Sequence, residues 1–326
     1  MPVTEFDIIR RYFERLPSPR EPVLKGIGDD AALIGSRADD DLVIAIDSLV
    51  EAVHFPPGTP AFDIGYKALA VNLSDMAAMG AEPVWFTLAL TLPDADEAWL
   101  SEFSRGLFEL ADASGVSLVG GDTTRGPLTV TVQIGGYVPH GQALLRDGAR
   151  PGDLVYVSGT LGDAVLGLKL LQYDPSGLLQ EYPELRARLN RPQARLREGQ
   201  ALRGLARCAI DISDGLLADL SHLFDVGQCG AMVQLDQIPV STAAQAVLAQ
   251  YPSWRSLIWQ GGDDYELCFC IAPQKQAELE ELMASDNLHF TRIGCIEAEP
   301  GLRCTDANGS HMDCQAHGYT HFREQE

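Results

Sequence analysis

The residues best suited to chemistry are aspartates set in short glycine- or hydroxyl-bearing segments. In Ser117-Leu118-Val119-Gly120-Gly121-Asp122-Thr123-Thr124-Arg125-Gly126, an apolar run ends in two glycines, an acid and two hydroxyls. Glycines let backbone amides approach an anion closely, and the acid can hold a hard cation beside it. Related segments recur at Gly28-Asp29-Asp30, Ala45-Ile46-Asp47, Asn72-Leu73-Ser74-Asp75 and Asp211-Ile212-Ser213-Asp214-Gly215. Any single aspartate is accounted for as a cap, a turn residue or a solvated charge. Taken together, Asp29, Asp30, Asp47, Asp75, Asp122, Asp211 and Asp214 are expected at strand ends, turns and helix starts, positions that can converge at one edge of a sheet. Asp75, inside an otherwise apolar helical run, calls for a cation or a cap. Hard oxygen ligands favour magnesium or calcium over zinc, and phosphate would complete an octahedral magnesium shell. The chemistry indicated is metal-dependent and acts on phosphate.

Other site types are missing from the sequence. It has no GxxxxGK[ST] loop, no GxGxxG ahead of a helix, no protein-kinase signature set and no G-x-S-x-G elbow. The seven histidines show no HExxH spacing. With 46 acidic against 24 basic residues, the net charge of -22 argues against a nucleic-acid surface and against attraction to anionic membranes. It leaves nucleotides open, because magnesium can bridge carboxylates to phosphates. Most of the acidity serves solubility. The seven cysteines all lie from Cys208 onward. They are expected to be reduced, mostly structural thiols, with Cys268 and Cys270 of the CxC pointing to opposite faces of a strand. No basic leader with an apolar core and no membrane-length apolar segment is present, so a cytoplasmic protein is expected.

The elements that must position these acids follow from periodicity. At 326 residues the chain suits two domains. Residues 5–16 read as an amphipathic helix carrying Phe6, Ile9, Tyr12, Phe13 and Leu16 near one face. A strand over 42–46 is expected to end at Asp47. Residues 61–79 form the clearest helix, with Ile64, Ala68, Val71, Met76 and Met79 at helical spacing and Asn72 and Asp75 sharing a face. Strand 83–92, helix 96–114, strand 116–119 and strand 128–138 complete a first domain, 1–145. The glycine, proline and charged residues of 146–153 mark a boundary. A second α/β domain, 146–326, follows, with strands near 154–158, 209–212, 231–235, 267–271 and 290–297. A helix over 214–227 is expected to carry Asp214 in its first turn.

At this point the motifs resemble a known family. Gly26-Ile-Gly-Asp-Asp30, Asp47-Ser-Leu-Val-Glu-Ala-Val-His-Phe55, Asn72-Leu-Ser-Asp-Met-Ala-Ala-Met-Gly80, Gly120-Gly-Asp-Thr-Thr124, Asp211-Ile-Ser-Asp-Gly215 and Gly262-Asp-Asp-Tyr-Glu-Leu267 are similar, in order, to thiamine-monophosphate kinases. The resemblance implies the α/β (α+β) two-domain fold shared with aminoimidazole ribonucleotide synthetase. In that fold the N-terminal sheet domain dimerises, a C-terminal α/β domain packs against it and the active-site cleft lies between them. It implies transfer of the ATP γ-phosphoryl group to thiamine monophosphate, with several Mg2+ ions, in a homodimer.

By motif, Asp30, Asp47, Asp75, Asp122, Asp211 and Asp214 match metal positions, with Asp29 a neighbouring candidate. Gly120, Gly121, Asp122, Arg146 and Ser213 match the nucleotide site, and Asp122, Asp211 and Arg146 carry the catalytic roles. His54, Asp263 and Tyr319 match contacts to thiamine monophosphate. For His54 the alternative is a structural hydrogen bond at a strand end. For Tyr319 it is tail packing. The sequence departs from the family pattern at Ala45 and Ile46, where hydroxyls are usual, at Ser104, where a nucleotide-lining aromatic is expected, and at Asp263, which replaces glutamate. Selenophosphate synthetase is disfavoured because no cysteine precedes Cys208. A nucleotide-binding maturation or scaffold protein on the same fold is the non-enzyme alternative.

Overall fold

The computed structural model describes residues 5–14, 22–27, 31–225, 229–312, 314 and 318–319. Asp29 and Asp30 lie outside the described residues. The chain forms two compact units, one of Met1–Met76 with Ala81–Gly141 and one of Ala77–Gly80 with Gln142–Glu326.

The first unit opens with α1 (Glu5–Ile8), which runs into a π turn over Ile9–Phe13 closed by Glu14 N–H donating to the Ile9 carbonyl at 2.9 Å. The expected regular helix is thus shorter and wider. Phe13 is nonetheless buried and meets Phe103 edge-on at 6.4 Å. After the short hairpin of β1 (Val23–Lys25) and β2 (Leu33–Ile34) come β3 (Asp40–Val50), α2 (Ala61–Ala78), β4 (Glu82–Leu92), α3 (Glu97–Ser114), β5 (Ser117–Arg125) and β6 (Thr129–Pro139). The sheet order is β3-β6-β4-β5, antiparallel except for β4 with β5. The parallel pair is reached through α3, as a parallel neighbour requires. Asp96 caps α3 by accepting from Ala98 and Trp99 N–H, and left-handed Gly115 ends it.

Both expected strand ends move. β3 runs past Asp47 because Asp47 to Val50 keep pairing with Val132 to Thr129. β5 runs through the whole Gly-Gly-Asp-Thr-Thr segment because it pairs with β4 as far as Leu92–Arg125. Asp47 and Asp122 therefore sit inside strands. One side of β3 stays open: Leu42, Ile44 and Ile46 are 54%, 52% and 60% exposed.

The second unit holds β7 (Leu154–Ser158), α4 (Asp163–Gln172), α5 (Leu178–Glu181), α6 (Pro183–Asn190), α7 (Leu196–Ala201), β8 (Ala206–Asp211), α8 (Leu216–Asp225), β9 (Gly230–Gln234), α9 (Thr242–Gln250), α10 (Leu257–Gln260), β10 (Leu267–Ile271), α11 (Gln276–Asp286), β11 (Phe290–Glu297), β12 (Gly301–Thr305) and β13 (His311–Met312). The strand order is β13-β12-β9-β11-β7-β10-β8, antiparallel except for β12 with β9. Its central strands are apolar throughout because both faces are covered. Val155, Val157, Ile210, Cys268 and Cys270 enter one core layer, and Leu154, Tyr156, Leu267, Phe269 and Ile271 enter the other.

Two cysteine expectations are corrected. Cys268 and Cys270 share a face with Cys208, because residues two apart on a strand point the same way. Cys304 and Cys314 are joined in a disulfide, which the expectation of reduced thiols did not include. α8 starts at Leu216, so Asp214 stands in the loop before the helix and not in its first turn.

Candidate active site

The first unit gathers three of the motif residues. Along β3 the side chains alternate, so Asp47 shares the face of buried Leu49, opposite the open row of Leu42, Ile44 and Ile46. Asp75 comes from α2, and the Asp47 and Asp75 carboxyl groups are hydrogen-bonded to each other. Burial pushes the Asp47 carboxyl up from its ordinary value, while the bond to Asp75 and the nearby His54 draw it back. Two carboxyl groups in such contact need a shared proton or a cation between them. His54 Nδ1 accepts the Val50 N–H at 2.9 Å, which leaves the proton of the neutral ring on Nε2. The Lys67 ammonium, 3% exposed, donates to the His54 carbonyl at 3.3 Å. One turn before Asp75, Asn72 is fully buried. Its amide donates to the Ala68 carbonyl, but its Oδ1 has no hydrogen-bond partner among the described residues. Two carboxylates and a bare amide oxygen are the donor types magnesium takes.

Asp122 stands elsewhere on the same sheet. The register aligns it with Ala89, Thr131 and Ser48, whereas Asp47 aligns with Val132, Leu88 and Gly121. The two acids therefore belong to alternate rows, and hence opposite faces. The strands β6 and β4 between them set them about 14 Å apart at ordinary strand spacing. Gly121 is required by close approach: a Cβ there would lie 1.9 Å from the Leu88 carbonyl oxygen. Gly120, Gly121 and Asp122 line a hollow of about 710 Å³ together with Thr87, Leu118 and the N-terminal Ile9 and Phe13. Ser104, the departure from an aromatic, lines a neighbouring hollow of about 510 Å³ with Tyr12 and Phe108. Ile46 lies on the open face of β3, turned from Asp47.

The second unit gathers another set. Asp211 closes β8, and Ser213, Asp214 and Gly215 lead into α8. The Ser213 carbonyl accepts the Asp263 N–H at 2.9 Å, and the Asp214 carbonyl accepts the Tyr319 N–H at 3.3 Å. Asp211, Ser213, Asp214, Asp263 and Tyr319 are thus brought onto one loop cluster. Asp263 adopts a left-handed backbone with φ of 68° and accepts from the Tyr265 hydroxyl at 3.2 Å. Arg146 is exposed on the segment whose Leu145 carbonyl accepts the Ala209 N–H of β8.

Asp219 and Glu266 are among the buried acids to which the sequence assigned no role. Asp219, 3% exposed, accepts through one oxygen from the N–H groups of Ser213, Asp214 and Gly215. Burial pushes its carboxyl up to about 7, with the charges of Asp211 and Asp214 adding to the rise. Glu266, fully buried, is held by Arg188, Arg195 and Ser158. The available signal was an acid four residues into a helix for one, and the last acid of the Asp-Asp-Tyr-Glu run for the other. Among the described residues no three His, Cys, Asp or Glu stand together as a complete metal shell. The acids come in a first-unit pair and a second-unit loop set. Nor, among the described residues, is any helix long and apolar enough to cross a membrane.

Comparison with known proteins places these groups in a family. Residues 28–138 match the model of the AIR synthase related protein N-terminal domain, and residues 150–307 match that of its C-terminal domain. The thiamine-monophosphate kinase of Escherichia coli O157:H7 is 46% identical over 319 residues, covering 98% of each chain. The crystal structure of the thiamine-monophosphate kinase from Stenotrophomonas maltophilia K279a is 49% identical with a TM-score of 0.82, covering 87% of this chain and 92% of that one. A structure of AaThiL complexed with AMPPCP and TMP is 30% identical with a TM-score of 0.77, covering 91% and 92%. Sharing sequence along nearly its whole length with these enzymes, and carrying their two domain types in order, the chain belongs to the thiamine-monophosphate kinase family.

Proposed function

We propose that the protein transfers the γ-phosphoryl group of ATP directly to the phosphate of thiamine monophosphate, giving thiamine diphosphate and ADP. The reading is carried by the 46% identity to an enzyme of that name across 98% of both chains. It is supported by the relative that holds AMPPCP and TMP. The acceptor phosphate, with a second pKa of about 6, is largely dianionic at neutral pH and needs little help from a base. The obstacle is bringing two polyanions into line, so positioning and charge neutralisation are what the protein must supply.

In the first unit, Asp47 and Asp75, with Asp29, Asp30 and Asp122, are the proposed metal ligands. In the second unit Asp211 and Asp214 take that role. Magnesium bound by these acids would neutralise polyphosphate charge and orient its oxygens. The Asp47–Asp75 contact supports this, because a cation removes the conflict between two half-buried carboxyl groups. Gly120 and Gly121 present backbone amides to nucleotide phosphate beside Asp122. Arg146 offers a planar guanidinium to phosphate, and Ser213 a hydroxyl. His54, oriented by the Val50 N–H on its Nδ1, is the proposed imidazole contact to thiamine monophosphate. Asp263 and Tyr319 offer an acid and an aromatic face to the thiamine cation. The attack is in line, without a covalent enzyme intermediate.

The open row Leu42, Ile44 and Ile46 supports the proposed homodimer, since an exposed apolar strip of this kind is normally covered. Ile44→Asp is expected to shift the mass by light scattering from dimer to monomer, and an already monomeric parent refutes the assembly. The activity is tested by incubating purified protein with ATP, magnesium and thiamine monophosphate and measuring thiamine diphosphate directly. Absence of product at saturation sinks the proposal.

A further inference from the structure

The loop that carries Asp211, Ser213 and Asp214 takes its shape from an acid outside it. Three consecutive N–H groups, of Ser213, Asp214 and Gly215, converge at 3.0, 3.0 and 3.1 Å on the Oδ2 of Asp219. Successive amides curled around one point form a nest for an anion, and this one opens at the N-terminus of the ten-residue α8. The anion is supplied from within: Asp219 is the fourth residue of the helix, and its own N–H bonds the Gly215 carbonyl at 3.0 Å. Gly215 has a φ of 122°, and a Cβ there would meet the Gln260 carbonyl oxygen at 2.7 Å, so the turn admits little else. With their N–H groups held inward by Asp219, the carbonyls of Ser213 and Asp214 face the other way and accept from Asp263 and Tyr319.

We infer that Asp219 is a positioning residue for the phosphoryl transfer: its carboxylate locks the Ser213–Gly215 backbone and thereby aims Asp211, Ser213 and Asp214 at metal and nucleotide and seats Asp263 and Tyr319 beside them. The inference rests on the proposed roles of those five residues. It assigns Asp219 no contact with substrate. Its loss acts through geometry, as loss of a group that orients metal ligands does, typically 10–100-fold in affinity or activity.

The test compares the parent with Asp219→Ala, Asp219→Asn and Asp211→Asn, at a temperature well below the unfolding midpoint of each. Turnover of the parent, abolished in Asp211→Asn, tests the underlying reading. The inference itself is read from kcat per folded molecule, from the magnesium concentration giving half-maximal rate, and from the rise in Tm caused by Mg-AMPPCP. The last needs no turnover and so separates the two. Asp219→Ala is expected to lower kcat and raise the magnesium requirement, each by about 10–100-fold, and to lose most of the Mg-AMPPCP-induced rise in Tm. Asp219→Asn keeps an acceptor oxygen for the three N–H groups and is expected to fall between, about 3–10-fold below the parent. A folded Asp219→Ala with parental kcat, magnesium requirement and ligand-induced rise in Tm, whatever its own Tm, makes the role merely structural and overturns the inference. Should that variant not fold, the same three parental values in Asp219→Asn overturn it.

Discussion

Removing the Glu266 carboxylate is expected to be among the most destabilising single changes in the second unit. The residue is fully buried, yet its two oxygens meet Arg188 Nη2 at 2.6 Å, Arg195 Nε at 2.5 Å, Arg195 Nη2, and the Ser158 hydroxyl at 2.5 Å. The Ser158 oxygen in turn accepts the Leu267 N–H at 2.8 Å, so the network reaches the backbone of β10. Arg188 and Arg195 have side chains only 17% and 19% exposed. Burial alone would lower the Arg195 guanidinium, and the bonds and charges of Glu266 and Glu198 together more than offset that. In Glu266→Ala both cations stay where water reaches them poorly, with one carboxylate fewer to balance them. Breaking a buried pair from one side costs about 3–5 kcal/mol. Part is recovered by the remaining Arg195–Glu198 contact at 3.4 Å and the distant Arg188–Asp163 approach at 4.0 Å. Glu266→Gln keeps the shape and one acceptor, and about 1.5–3 kcal/mol is expected from the weakened charged hydrogen bonds. Urea unfolding followed by the fluorescence of Trp254 and Trp259, both in this unit, with linear extrapolation to water, measures each loss. A loss below about 1 kcal/mol for Glu266→Ala, at an unchanged m-value, refutes the reasoning and shows that the guanidinium groups find water.

Three further outcomes are expected. Asp122→Asn and Asp211→Asn each reduce thiamine diphosphate formation severely while leaving the unfolding midpoint near that of the parent; near-normal magnesium-dependent rates in both contradict their assignment. Cys314→Ser opens the link between Cys304 and Cys314, ten residues apart, and chain entropy sets the loss at up to about 2.7 kcal/mol without reductant. An equal midpoint for parent and variant without reductant shows that the bond adds nothing. For Asp264, burial holds the folded carboxyl well above its ordinary value, so the native state binds more protons than the unfolded chain and stability falls as pH rises from about 4 through the folded value. Asp264→Asn retains an acceptor for the Gly162 N–H and removes that slope. Its urea midpoint relative to the parent should therefore be higher at pH 7 than at pH 4, and the reverse order contradicts the sign.

The acids could be picked out as candidates one by one because their chemistry is local. A carboxylate beside glycine or serine at the border of an apolar run states its ligand type wherever it ends up, and α2 could be placed to within a residue because its apolar spacing spans five turns. Grouping was another matter. Asp47 and Asp122 look alike in sequence, each following an apolar run. Register alone put them on alternate rows, because a strand continues as long as a partner offers hydrogen bonds and not until its own apolar residues stop. The same register brought Asp47 under Asp75 of α2 and left Leu42, Ile44 and Ile46 open. The burial of Asp219 and of Glu266 was not legible either. An acid signals its burial only through the partners that offset its desolvation, and Arg188 and Arg195 lie 78 and 71 residues from Glu266. The Cys304–Cys314 pairing likewise depends on β12 and the tail meeting in space. Residue type and spacing, then, determined the kind of chemistry and the order of the elements. Tertiary pairing decided which acids face one another and which are enclosed by backbone amides or guanidinium groups, because the surroundings of a charge are set by what the fold brings beside it.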